Sequence, residues 1–485
     1  MDRFDNVSPL DYRYYGGNPN FFARLKPYVS EAANIRYLAT VEVALVRMLA
    51  RWGVCPADVP PQVERAAQRI TAEEVYAEEE RVHHNIRALV NCIRKHIPAP
   101  ARPYVHLFAT SADVMDTAAA LRYKDLVRDV LLPDLIALEE VLIQLSSETA
   151  DQVQIGRTHG QHAVPVTFGF AMALYVSRIG SRIKAIEAAS NNLRGKFSGA
   201  VGAFNALSLF TNDPSSCERE LLADLGLAPS DTSISSQIVE PESLTDLVYA
   251  VTSCFSVLAN LADDIRHLIR SEIGELLDTY KDEEVGSSTM PHKMNPKNFE
   301  NVKSLWKEFM PRMMTVFMDQ ISEHQRDLTN SASARFLPDL FTGFCYAIER
   351  LKDGLAKVKI NEKRMQENIE VSKQHYIAEP LYVMLALQGF PDAYDAVMQL
   401  SRDARRSGIP LVDLANHEPK LQPYLRKLPE DHKEILADPA KYVGDAPGRT
   451  RATCQEWSRY VYSLREKLEA QRRHAERMHS TLICS

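Results

Sequence analysis

The sequence predicts an all-α protein of three helical domains around a central bundle of long helices. Three observations predict it: glycine is scarce, apolar residues recur at alternating spacings of three and four, and prolines gather at two places. The 19 glycines among 485 residues are about 4% of the chain, against roughly 7% on average. That is too few to turn the corners of a many-stranded sheet.

The first cluster of prolines, Pro98, Pro100 and Pro103, removes backbone donors and disfavours helical geometry before each ring. No helix is expected there, and it marks the edge of an amino-terminal domain over residues 1–110. The central domain, 111–364, carries three apolar seams: Leu135, Leu138, Leu142 and Leu145; Val251, Phe255, Leu258, Ala262, Ile265 and Ile269; and Phe344, Ile348, Leu351, Leu355 and Val358. Such spacing puts one stripe of a helix against neighbouring helices. The polar neighbours Glu139, Glu140, Asp263, Asp264, Arg266, Glu349 and Lys352 read as a solvated or inter-helix charged face. Irregular stretches are expected at 195–216, 228–243 and 281–297. Beyond Asn361 the helices are expected to shorten, because prolines at 380, 391, 410, 419, 423, 429, 439 and 447 cut residues 365–485 into a small third domain.

A net charge of −7 without long basic runs leaves no footprint for nucleic acid or an anionic membrane. The weakly polar stretch Ala163–Val176, taken as the longest, holds Pro165 and Gly169 and is shorter than the roughly 20 residues a bilayer needs. The start, Met1-Asp2-Arg3-Phe4-Asp5, is acidic where a secretory signal is basic, so a cytoplasmic location is expected. Cys55, Cys92, Cys217, Cys254, Cys345, Cys454 and Cys484 show no metal or disulfide spacing and read as reduced and mostly buried.

The most informative run is Gly286-Ser287-Ser288-Thr289-Met290-Pro291-His292-Lys293-Met294-Asn295-Pro296. No regular element fits it. Unpaired amides in such a loop can cradle an oxyanion, and its lysine can neutralise developing negative charge. A second constellation is Arg157-Thr158-His159-Gly160-Gln161-His162 with Pro165 beyond it. His159 and His162 are three apart, yet no third ligand has suitable spacing, and no metal or other cofactor is expected. A third, Thr110-Ser111-Ala112-Asp113, taken alone is a helix N-cap.

The loop resembles the signature G-S-S-x-M-P-x-K-x-N-P of the fumarase/aspartase superfamily, with every fixed position present, and Thr158, His159 and Pro165 resemble its T-H-x-x-x-x-x-P segment. The strip Val7 to Tyr14, the runs Ser198-Gly199-Ala200-Val201-Gly202 and Ser236-Gln237-Ile238, and Arg326-Asp327-Leu328-Thr329-Asn330-Ser331 with Arg335 are similar to the adenylosuccinate lyase branch of that superfamily. The resemblance implies a homotetramer with a 20-helix core and a small nucleotide substrate from which fumarate is eliminated. In that branch the substrates are adenylosuccinate, giving AMP, and the succinylocarboxamide ribotide of purine synthesis.

Removing a proton beside a carboxylate while nitrogen leaves the adjacent carbon calls for a base, an acid and fixed positive charge. The resemblance implies Ser287 as base, held as an alkoxide by loop amides and Lys293, in a loop that closes over substrate. It implies His159 as acid, aided by His84. Ser288, Lys293, Asn295, Thr110, Ser111 and Gln237 are the implied contacts for the succinyl end; Arg13, Tyr14, Arg326, Ser331 and Arg335 those for phosphate and ribose. Asn85 and Asn301 complete the implied substrate contacts. The chain departs from the family pattern at three places: His84-Asn85 where His-Asp is usual, Glu242-Ser243 where a basic or His-Asp pair is usual, and Asn330 where aspartate is common. The alternatives are another fumarate-releasing lyase of the superfamily, of argininosuccinate, aspartase or fumarase type, or a helical scaffold without catalysis.

Overall fold

The computed structural model describes residues 8–14, 16–279 and 286–484, without the side chains of residue 374 and of residues beyond 473. Residues 1–7, at the amino terminus, and 281–285, at the start of the signature stretch, lie outside the described residues, as does the side chain of Cys484.

The amino-terminal part is built from α1 (Pro19–Val29), α2 (Glu31–Arg51), α3 (Val59–Arg69), α4 (Ala72–Val82) and α5 (Asn85–Lys95). Side chains start several of them: Asn18, Ser30 and Thr71 each accept an amide of the following first turn, supplying a partner to donors a helix cannot pair itself. The proline-rich segment differs from expectation. Ala99–Tyr104 forms a short 3₁₀ turn, closed by the Ala101 amide donating to the Pro98 carbonyl at 3.0 Å, a short element that accepts proline in its first positions.

The central frame follows. α6 (Ser111–Leu126) runs into α7 (Leu132–Glu148) through one wide turn, Val127–Leu131. The wide turn lies just ahead of Pro133, whose ring would clash with a carbonyl in an unbroken ladder. β1 (Val153–Thr158) and β2 (Gln161–Thr167) form an antiparallel hairpin that leads into α8 (Phe168–Asn191). After α9 (Pro214–Asp224), the 28-residue α10 (Glu242–Ile269) is reached. β3 (Leu276–Asp278), the loop from Gly286, α11 (Lys297–Phe309), α12 (Arg312–Met318), α13 (Leu337–Leu355) and β4 (Val358–Ile360) complete this frame, with β3 and β4 paired antiparallel.

α7, α8, α10, α11 and α13 pack side by side. The seam residues lie where periodicity places them: Leu135, Leu138, Leu142, Val251, Phe255, Leu258, Ala262, Ile265, Phe344, Ile348 and Leu351 are buried. The third seam overruns its helix, since Val358 belongs to β4; α13 ends at Leu355 and the chain turns at Ala356–Lys357. Glu139 corrects the reading of the charged face. It is fully buried, neither carboxylate oxygen has a partner among the described residues, and burial pushes its carboxyl well up. Other polar neighbours pair between helices, Glu140 of α7 with Arg465 at 2.6 Å and Asp263 of α10 with Lys303 of α11.

α10 also corrects the search for apolar stretches. Among the described residues it is the one helix long and apolar enough to cross a membrane by length and composition, and two thirds of its apolar window is buried inside the protein.

The carboxyl-terminal part comprises α14 (Glu362–Tyr376), α15 (Ala378–Leu387), α16 (Ala393–Ser407), α17 (Leu411–His417), α18 (Gln422–Leu425), α19 (Glu430–Ala437) and α20 (Ala446–Cys484). Ile377, Leu381, Leu385, Val397, Leu411 and Leu421 make a hydrophobic cluster of their own. The expected shortening stops at α19. α20 has 39 residues because no proline follows Pro447, and Trp457, Val461 and Leu464 return to the core of the central helices. The six cysteines with described side chains are buried and unbonded.

Candidate active site

His159 occupies the tip of the β1–β2 hairpin. Thr158 pairs with Gln161, leaving His159 and Gly160 as a two-residue connection with φ of +53° and +73°. Positive φ at both positions is the turn that matches the twist of a hairpin. Gly160 adopts it freely; His159 does so at a cost, and its side chain is exposed. His162, three residues along, is tied down: its Nδ1 lies 2.6 Å from Ser372 Oγ on α14. Burial and then the charge of Arg157 lower its proton affinity.

The serine loop is folded on itself. Ser287 Oγ accepts the amides of Thr289 at 3.3 Å and Met290 at 3.1 Å. Asn295 Nδ2 donates to the carbonyl of Gly286 at 2.9 Å, closing the loop across its base. Ser288 and Lys293 are exposed, and Ser287 and Asn295 are half-buried. One turn beyond the loop, on α11, Asn301 Oδ1 is buried with no partner among the described residues.

A cavity of about 520 Å³ lies elsewhere on the same chain. Asn85, Asp116, Arg326, Asn330, Ser331 and Arg335 line it. Arg326 and Arg335 come from the segment between α12 and α13, where Arg335 donates to the carbonyl of Ser331 at 2.9 Å and Arg326 to that of Asp327 at 3.2 Å. The amide of Gln237 donates to the carbonyl of Gln325 at 3.3 Å, which brings the Gln237 strip beside that segment, and Ile238 lines the cavity. Burial raises the Asp116 carboxyl to about 6, against the pull of the Val239 amide and of Arg326. The departures Asn85, Ser243 and Asn330 all line this one cavity.

The remaining expected residues stand apart from the cavity lining. Thr110 is the N-cap of α6, with its amide donating to Asp113 Oδ2 at 2.8 Å, so this segment does serve as a helix cap. His84 caps α5, Nδ1 accepting the amide of Arg87 at 3.3 Å. Tyr14 packs its ring on Tyr346, centroids 5.1 Å apart, while Arg13 is exposed. Within one chain, then, Asn85, Arg326, Ser331 and Arg335 share a cavity, and neither Ser287 nor His159 lines it. Among the described residues no group of histidines, cysteines or carboxylates could hold a metal ion.

Two residues of this region escape sequence reasoning. Asp116, one turn after Asp113 on α6, lines the cavity, and its spacing from the T-S-x-D run is the signal that could have flagged it. Lys196 stands two residues before the Ser198-Gly199 run and is buried against Asp113.

Residues 18–308 match the family described as "Lyase", and residues 322–443 match "Adenylosuccinate lyase C-terminal". The adenylosuccinate lyase of Pyrococcus horikoshii is 33% identical over 446 residues, 91% of this chain and 95% of that protein. That of Methanothermobacter thermautotrophicus is 31% identical over 94% of this chain and all of its own length. Among solved structures, a fumarate lyase from Mesorhizobium sp. BNC1 superposes with a TM-score of 0.77 at 24% identity, covering 89% of this chain and 97% of that one. A 3-carboxy-cis,cis-muconate lactonizing enzyme from Pseudomonas putida superposes at 0.76 with 25% identity, covering 91% and 100%. Matched over 91% and 94% of its length by two relatives of one name, and by two successive lyase families, the chain belongs to the adenylosuccinate lyase family of the fumarate lyase superfamily.

Proposed function

We propose that this protein cleaves adenylosuccinate to AMP and fumarate, and the succinylocarboxamide ribotide to its carboxamide and fumarate. One observation carries the reading. The match to the adenylosuccinate lyase carboxyl-terminal family begins at residue 322 and takes in Arg326, Ser331 and Arg335, which line the cavity. Two guanidinium groups there suit a phosphate, which they grip with paired donors better than an ammonium does.

In this reading Ser287 Oγ takes the proton from the carbon beside the carboxylate, and His159 delivers one to the departing nitrogen. The C–N bond breaks, and its electrons leave with nitrogen as the new double bond of fumarate forms. The two amides that donate to Ser287 Oγ support the first role, because donors to an oxygen favour its anionic form. Exposure of His159 on a hairpin tip supports the second, for an acid must reach a bound substrate. Lys293, Asn295, Ser288, Thr110, Ser111 and Gln237 would hold the succinyl carboxylates, and Asn301, close by in sequence, would be a further substrate contact. Arg13, Tyr14, Asn85 and His84 would complete the nucleotide end.

Because the serine loop and the hairpin tip stand apart from the cavity within one chain, the reading includes a homo-oligomer, most simply a tetramer, in which neighbouring copies complete each site. A cytoplasmic location goes with a soluble metabolic enzyme of this kind. The experiment is an ultraviolet assay of fumarate release from adenylosuccinate, with argininosuccinate, aspartate and malate in parallel. Turnover of one of those three with adenylosuccinate untouched would replace this reading by another lyase of the superfamily.

A further inference from the structure

Glu275 belongs to none of the constellations above, yet it joins two of them. The residue is fully buried, and both carboxylate oxygens are doubly occupied. Oε1 accepts Arg157 Nη2 at 2.6 Å and Asn368 Nδ2 at 2.8 Å. Oε2 accepts Gln154 Nε2 at 2.7 Å and Arg157 Nη1 at 3.1 Å. A buried carboxylate costs several kcal/mol unless it is paired and fully hydrogen-bonded, and apolar side chains of like volume would hold the packing at least as well. What the two-pronged arrangement adds is direction.

That direction acts on His159. Arg157 stands two residues before it on β1, and the ladder register shifts between Ile155 and Arg157. Gly156 makes this bulge possible, since a Cβ there would lie 2.6 Å from the carbonyl oxygen of Val164. A bulge re-aims the next side chain, here turning Arg157 onto Glu275. On its other side Glu275 enters β3. Its carbonyl accepts the amide of Asn361, the N-cap of α14, at 2.9 Å. Asn361 Nδ2 holds the carbonyl of Gly274 at 3.0 Å. Just past β3, Thr279 donates both its amide and its hydroxyl to the carbonyl of Lys357, at 3.1 and 2.7 Å. Thr279 is the last described residue before the serine loop.

We propose that Glu275 is a positioning residue: through Arg157 it aims the His159 turn, and through β3 it fixes the frame from which the Ser287 loop departs. This rests on His159 as acid and Ser287 as base. The test uses two variants of the full-length protein. The double variant Arg157→Gln/Glu275→Gln replaces the ion pair with an amide pair and strands no buried charge. Gln154→Ala removes one donor without touching charge. With adenylosuccinate as substrate, the double variant is expected to lose about 10²-fold in kcat while KM stays within about threefold. Its helical circular dichroism and oligomer size are expected to match the parent. Gln154→Ala is expected to lose about tenfold in kcat, again with little change in KM.

A double variant that melts lower but keeps kcat within about threefold of the parent has lost packing alone, and that result overturns the proposal. Should the double variant not fold, Gln154→Ala decides, and an unchanged kcat there overturns it equally. A parent protein that releases no fumarate overturns the lyase reading itself.

Discussion

Asp113 and Lys196 form an ion pair at 1% and 2% side-chain exposure, joining the start of α6 to the loop that carries Ser198 and Gly199. The carboxylate also accepts the amides of Thr110 at 2.8 Å, Ser198 at 3.1 Å and Gly199 at 3.2 Å, and Ser198 Oγ meets Ser235 Oγ at 2.7 Å. The Thr110-Ser111 cap, the Ser198-Gly199 run and, through Ser198, the strip that leads to Gln237 are thus tied to one buried charge. Lys196→Met leaves that carboxylate without its cation and is expected to lower the unfolding free energy by about 3–5 kcal/mol. Urea denaturation followed by circular dichroism checks it.

Glu218 sits beside that pair and predicts a pH dependence. Burial raises its carboxyl to about 7, against the Phe197 amide and the charge of Lys196, with Asp113 and Glu240 adding to the rise. Its partner is the amide of Phe197 at 2.8 Å, and its second oxygen has none among the described residues. The folded state therefore holds a proton that the unfolded chain gives up above about pH 4.5, so stability falls as pH rises from about 4.5 to about 7. Glu218→Gln keeps an acceptor for Phe197 and removes the titration. Its unfolding free energy is expected to gain on the parent's through that window and level off above it, by at most about 3 kcal/mol. Urea titrations at pH 5, 6 and 8 read it; a constant difference would contradict it.

Gly180 on α8 lies under the ring of Trp457 on α20, where an added Cβ would meet ring atoms at 2.3 Å. Gly180→Ala must push α20 away from α8 and is expected to cost about 1–3 kcal/mol. Trp457→Ala, leaving a void instead, is expected to cost about 3–5 kcal/mol. Thermal melts of both check that the last helix is part of the central core.

Arg326 and Arg335 predict a split in kinetics. If they hold the phosphate, Arg326→Ala and Arg335→Ala each lose about 1.5–3 kcal/mol of charge-assisted bonding, roughly 10- to 10²-fold in kcat/KM. Most of that loss should appear in KM, and raising the salt concentration should weaken the parent more than either variant. Equal salt responses would remove the phosphate assignment.

The seams were legible because burial of one helix stripe is a local, periodic demand; Leu135, Leu138 and Leu142 on α7 meet it directly. Spacing could not tell where a seam stops, so Val358 was carried past the end of α13 into β4. Nor could it tell that the polar neighbour Glu139 faces inward, since that depends on which helix packs beside α7. The prolines between 380 and 447 marked the short helices well, yet α20 is long because its sequence after Pro447 contains no breaker. Of the candidate site, Arg326, Ser331, Arg335 and Asn85 stood out in the sequence and share a cavity. Glu275 did not stand out, because its partners Gln154, Arg157 and Asn368 lie roughly a hundred residues away in the chain. Pairing over that separation leaves no periodic trace.

The most direct measurement is fumarate release from adenylosuccinate by the parent protein and by Ser287→Ala and His159→Ala. The parent is expected to turn over, and each variant to lose at least about 10³-fold in kcat, in the range of a missing acid or base, with oligomer size and helical content unchanged. A Ser287→Ala or His159→Ala protein that releases fumarate as fast as the parent would contradict the account.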